Sequence, residues 1–92
     1  MSENVLEIRP FGIINTLFRE RNWSYPYYLT VKAPITGFQL LDLLDLSSGQ
    51  VEAIFINGKT ERLSAVVQTG DRIGLIPHGT PGVIRLMTGI RG

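Results

Sequence analysis

Side chains able to act as nucleophile, base or metal ligand are sparse in this chain and poorly clustered. There is no cysteine, which removes thiolate metal sites, disulfide frameworks and cysteine nucleophiles together. His78 is the single histidine, and it has neither a cysteine nor an acidic cluster beside it in sequence. A structural loop histidine is the better reading than a metal ligand or a base, and no metal site is expected. Asp42 and Asp45 stand three residues apart with Glu52 further on, a pattern that a solvated helix face explains better than paired catalytic carboxylates. Gly79 and Gly82 lack the strand–turn–helix setting and the lysine of a phosphate loop. The stretch "RERNWSYPYY" interleaves Arg19 and Arg21 with Trp23, Tyr25, Tyr27 and Tyr28, a composition that can stack the bases of single-stranded RNA. Glu20 dilutes its charge, the net charge of the chain is +1, and aromatics in a strand usually pack, so no nucleic-acid partner is expected.

What remains is the end of the sequence, "HGTPGVIRLMTGIRG", residues 78–92, which is both glycine-rich and apolar. Two readings stand side by side. In one it is a mobile tail that works on a partner. In the other, Val83, Ile84, Leu86 and Met87 form an added strand at 83–87, entered through a Pro81-Gly82 turn and packed on the body or on a second copy. An exposed apolar edge there would favour a homo-oligomer. The readings are compatible, because a packed 83–87 leaves Thr88, Gly89, Ile90, Arg91 and Gly92 free.

The body must position that tail. Ninety-two residues suffice for one core, and an apolar content of 43% suits a folded globule. The apolar runs are short and interrupted, so no membrane association is expected. "MSENVLEIRP" has an acid within its first residues and no apolar h-region, so the expected location is cytoplasmic.

Along the chain, "VLEIRPF" alternates as a strand, with Leu6 and Ile8 on one face and Glu7 and Arg9 on the other, and Pro10 confines it to an edge or an end. "IINTLFRER" predicts a short helical turn with Ile13, Ile14, Leu17 and Phe18 inward, "NWSYP" a loop, and "YYLTVKA" a second strand. "TGFQLLDLLDL" is the clearest element. Thr36 and Gln39 have capping-box spacing, Gln39, Asp42 and Asp45 make a polar stripe, and Phe38, Leu40, Leu41, Leu43 and Leu44 fill the buried faces. Ser47, Ser48 and Gly49 end the helix, with Gly49 as the left-handed cap. "VEAIFI" is a strand running into the Asn57-Gly58 hairpin signal, "KTERL" returns briefly before the turn "SAVV", and Thr69-Gly70-Asp71 turns into a last strand, Arg72 to Pro77. Strand, strand, helix, strand, short strand, strand predicts an α+β domain with a mixed sheet wrapped around one main helix.

This order resembles the ubiquitin-like β-grasp fold. More narrowly, "IRPFG" (8–12), "VEAIFINGK" (51–59) and "TGDRIGLIP" (69–77) are similar to the MoaD/ThiS-like sulfur-carrier family, which includes the small subunit of molybdopterin synthase and the thiamine-pathway carrier. The likeness covers residues 5–78 and implies a β-grasp domain over 1–78 followed by a C-terminal tail, 79–92. It also implies a carrier and not an enzyme. The terminal glycine carboxylate, here Gly92, would be adenylated by an activating enzyme (an adenylyltransferase) and converted to a thiocarboxylate. The sulfur would then pass to a sulfur-accepting synthase in molybdopterin or thiamine biosynthesis. No cofactor is bound by the carrier, and ATP is used by the partner. Thr88, Gly89, Ile90 and Arg91 would thread the partner's narrow site, where a thin backbone is needed. The family's tail ends in a Gly-Gly pair. Here Gly82 follows Pro81, ten residues come after it, and Arg91 holds the penultimate position. That difference motivates the alternative: a non-catalytic protein–protein interaction module that has kept the fold and lost the Gly-Gly tail.

Overall fold

Residues 4–32 and 34–79 are described by a computed structural model of the chain. The first strand, β1 (Val5–Pro10), alternates as its sequence demands, with Leu6 and Ile8 buried, and Pro10 closes its end. After it come α1 (Gly12–Glu20), β2 (Tyr27–Thr30), β3 (Ile35–Thr36), α2 (Gly37–Leu43), β4 (Val51–Ile56), β5 (Lys59–Glu61), β6 (Val66–Val67) and β7 (Arg72–Pro77). Five strands form one mixed sheet in the order β2-β1-β7-β4-β5, and β3 pairs with β6 in a separate two-stranded ladder. Strands β1 and β7 run parallel at the centre, in register from Glu7 with Arg72 to Pro10 with Leu75. Strands β2 and β4 flank them antiparallel, and β4 turns into β5. The described residues thus form a small α+β fold with a mixed sheet and two helices.

One face of the sheet carries the main core. Leu6, Ile8, Ile54, Ile73 and Leu75 pack with Ile14 and Phe18 of α1 and with Leu40 and Leu41 of α2. Each such side chain contributes about 1.5–3 kcal/mol on burial. Trp23 stacks on Tyr27 with ring centroids 4.5 Å apart, and both rings pack edge-on to Phe18. These two rings of the "RERNWSYPYY" stretch belong to the fold, while Tyr25 and Tyr28 are exposed.

Both helices stop by the same device. In α1, Trp23 N–H bonds the Phe18 carbonyl (2.9 Å) and Asn22 N–H the Arg19 carbonyl (3.0 Å), with Asn22 left-handed at φ 61°. In α2, Leu46 N–H bonds the Leu41 carbonyl (2.9 Å) and Asp45 N–H the Asp42 carbonyl (3.1 Å), with Asp45 at φ 55°. These are paired six-to-one and five-to-two bonds that satisfy the last carbonyls, and each is followed by an apolar residue folded back on the helix. The expected cap at Gly49 is therefore corrected to Asp45: the helix ends at Leu43, earlier than its apolar run suggests. At its start the capping box forms as expected, Gln39 N–H bonding Thr36 Oγ1 and Thr36 N–H bonding Gln39 Oε1.

Other expectations change as well. Ile13 is 74% exposed and Phe38 and Leu43 are about half exposed, so the inward sets of both helices are narrower than their apolar residues imply. Strand β2 ends at Thr30. The "SAVV" turn contains β6, whose Val66 and Val67 pair with Thr36 and Ile35.

Candidate functional site

Every residue expected to carry the chemistry, Gly92 together with Thr88, Gly89, Ile90 and Arg91, lies outside the described residues, as does the strand expected at 83–87. What can be built is the surface from which they leave. The described chain ends just past β7, where Gly79 takes a left-handed φ of 86°. Immediately before it, His78 Nε2–H donates to the Ser48 carbonyl at 2.8 Å, tying the exit of β7 to the loop that precedes β4. This gives His78 the structural role expected of it. Gly12 holds the exit from the other side. Its φ of +56° favours glycine, and a Cβ there would meet Pro77 Cγ at 3.1 Å.

Beside the exit lies an open groove of about 460 Å³, lined by Ile13 and Leu17 of α1, by Gly49 and Gln50, and by Pro77 and His78. Its size falls in the range of ligand and peptide pockets, roughly 300–1,000 Å³. The most exposed large apolar side chain of the described residues, Ile13, sits on its wall. Glu20 supplies a carboxylate at its edge.

The second surface is the outer face of the sheet, opposite the helices. Strand pairing brings Glu7, Arg9, Arg72, Gly74 and Phe55 onto it. Glu7 lies between two guanidiniums, bonded to Arg9 Nε and 3.5 Å from Arg72 Nε. The bond to Glu7 holds the Arg9 guanidinium pKa above its already high ordinary value, so Arg9 is a fixed cation. Next to this trio Phe11 and Phe55 meet edge-to-face, with centroids 5.9 Å apart and planes inclined by 69°. Ala53 and Ile76 complete an apolar cluster with Phe55, separate from the main core.

Sequence reasoning did not single out Phe11, Phe55, Ala53, Ile76 or Ile13 as surface features. A signal for the sheet face was present. "VEAIFI" and "RIGLIP" are apolar at consecutive positions, which marks strands with apolar side chains on both faces. The carboxylates Asp42 and Asp45 are exposed on and just past α2, and Asp45 is spent on ending it. No helix of the described residues is long and apolar enough to cross a membrane.

Comparison with protein families, with curated proteins and with solved structures gives no match. The functional reading therefore rests on the residues and geometry above.

Proposed function

We propose that the chain is a β-grasp protein of the sulfur-carrier type, acting as the substrate of an ATP-dependent activating enzyme. One observation carries the reading. The first and last strands pair in parallel at the centre of a five-stranded mixed sheet with the helices packed on one face, and the glycine-rich run leaves directly from that last strand. That pairing, with both described helices on one face, supports the β-grasp reading. On the activating enzyme the Gly92 carboxylate attacks the α-phosphorus of ATP, releasing pyrophosphate and leaving a carboxyl adenylate. Sulfur at the sulfide level then displaces AMP, giving a thiocarboxylate that a synthase uses in cofactor biosynthesis. Thr88 to Arg91 lead Gly92 into the partner, and the groove of Ile13, Leu17 and Pro77 lies at the base of the tail, where that partner must dock.

The test removes Gly92 alone. Carrier-dependent exchange of pyrophosphate into ATP, catalysed by the activating enzyme, should disappear while circular dichroism and melting stay unchanged. Undiminished exchange by the truncated chain would sink the assignment of Gly92.

A second reading has its own support. The exposed apolar groove and the Phe11–Phe55 face suit a protein–protein interaction module whose extended C-terminus docks without being activated, and Arg91 in place of the penultimate glycine favours it. In that case groove substitutions such as Ile13→Asp abolish partner binding and removal of Gly92 does not.

A further inference from the structure

Strand pairing gathers on the outer face of the sheet a set of groups that the fold does not use up. Glu7 stands opposite Arg72 on β7, Arg9 follows two residues on along β1, and Phe55 of β4 lies opposite Gly74. An open hollow of about 190 Å³ is lined by Arg9, Phe11, Phe55, Asn57, Arg72 and Gly74.

Asn57 is committed inside the fold, its Oδ1 accepting from Arg72 N–H and its Nδ2–H donating to Asp71. The two guanidiniums are not. Glu7 is bonded to Arg9 Nε and lies 3.5 Å from Arg72 Nε, so it engages the Nε edge of both. Among the described residues the Nη groups of Arg9 and Arg72 make no hydrogen bond, and the two side chains are 43% and 66% exposed. A guanidinium held at one edge still presents N–H donors in a planar fork, the shape that matches an oxyanion. Glu7 has already restricted both side chains, which leaves less ordering to be done when such a group binds.

Charge and size narrow the ligand. Two guanidiniums against one carboxylate leave this cluster a net charge of +1. One further carboxylate balances it, whereas a phosphate monoester brings close to two negative charges and sets the excess beside Glu7. The hollow is smaller than the roughly 300–1,000 Å³ that takes a whole small ligand, so it suits a side chain or two of a larger partner. Phe11, 39% exposed, and the half-buried Phe55 form its apolar wall.

We propose that this hollow is a docking subsite for an acidic peptide segment of a partner protein. One carboxylate of the segment binds across the Nη ends of Arg9 and Arg72, and a neighbouring aromatic or leucine side chain packs on Phe11 and Phe55. The inference rests on the interaction-module reading only in treating the Phe11–Phe55 face as a contact surface, and it stands whether or not Gly92 is activated.

The test titrates the nitrogen-15-labelled full chain with a short blocked peptide holding phenylalanine next to aspartate, followed by NMR. Saturable shifts are expected at the amides of Phe55, Asn57 and Gly74 and at the Nε–H of Arg9 and Arg72. Replacing the peptide's aspartate by asparagine should weaken binding at least tenfold, and so should Arg72→Gln in a chain whose melting is unchanged. Ile13→Asp, which tests the groove by α1, should leave the titration as it was, so this subsite and the groove reading can fail separately.

No saturation by about 10 mM peptide would overturn the proposal. Equal binding of the asparagine peptide would do the same, because the carboxylate would then not be what is recognised. Inorganic phosphate displacing the peptide more effectively than acetate would make this a phosphate site and overturn the carboxylate assignment. Shifts centred on Ile13 and Leu17, or binding lost in Ile13→Asp, would put the peptide in the groove instead.

Discussion

Phe11 and Phe55 close edge-to-face over Gly74, and the approach is possible because residue 74 has no side chain. A Cβ built there would lie 3.2 Å from Phe11 Cε2 and from Phe55 Cβ and Cδ2. The glycine in "RIGLIP" thus admits two rings against the central strand. Gly74→Ala should destabilise the fold by about 1–3 kcal/mol through overpacking, read as a lower urea midpoint. Pairing it with Phe55→Leu should recover part of the loss. Equal losses in the single and double variants would mean that the ring contact is not the cause.

Arg21 ties the two helix ends together. Its guanidinium donates to the carbonyls of Leu44 (2.6 Å) and Asp45 (2.8 Å), and it lies over the Trp23 ring, 4.6 Å from the centroid. A lysine cannot make the fork or the planar stack. Arg21→Lys should cost about 1 kcal/mol in equilibrium unfolding, whereas Arg19→Lys, on the exposed side of α1, should stay within about 0.5 kcal/mol.

Asp45 holds a left-handed conformation at the position where helices most often place glycine. Asp45→Gly should therefore raise stability by up to about 1 kcal/mol, visible as a higher melting temperature. A lower melting temperature would show that the aspartate side chain contributes more than its backbone conformation costs.

Asn57 and Asp71 lock two distant turns. Asn57 Nδ2–H donates to Asp71 Oδ1 (3.0 Å), Arg72 N–H donates to Asn57 Oδ1 (2.8 Å), and Asp71 Oδ2 accepts from Gln68 N–H (2.8 Å). Asn57 also takes a positive φ of 53° at the head of the hairpin. Asn57→Ala loses both the bonds and the conformational preference, and should cost about 1–2 kcal/mol by denaturant titration. Asp71→Asn, which can keep part of the network, should cost less.

Features set by neighbours in sequence were the legible ones. The Thr36–Gln39 capping box and the Asn57-Gly58 turn need only local geometry, and both form as their spacing predicts. The side on which a helix stops is subtler. Leu43 and Leu44 read alike, yet Leu44 is buried and Leu43 exposed, because Leu44 shares with Leu40 and Leu41 the one narrow helix face turned to the sheet. Ile13 and Ile14 differ in the same way. The pairing of β1 with β7 joins opposite ends of the body, and no local pattern encodes such a contact. The β3–β6 ladder is two residues per strand, too short to show a period. For the site, the tail was legible as a composition, while the surfaces around its exit depend on which strands and helices become neighbours.

The carrier reading is tested most directly by the intact mass of the chain after incubation with an activating enzyme, ATP and a sulfur donor. The account predicts a gain of one oxygen-to-sulfur exchange, mapped by fragmentation to Gly92. An unchanged mass, with the same enzyme active on a Gly-Gly carrier in parallel, would contradict it.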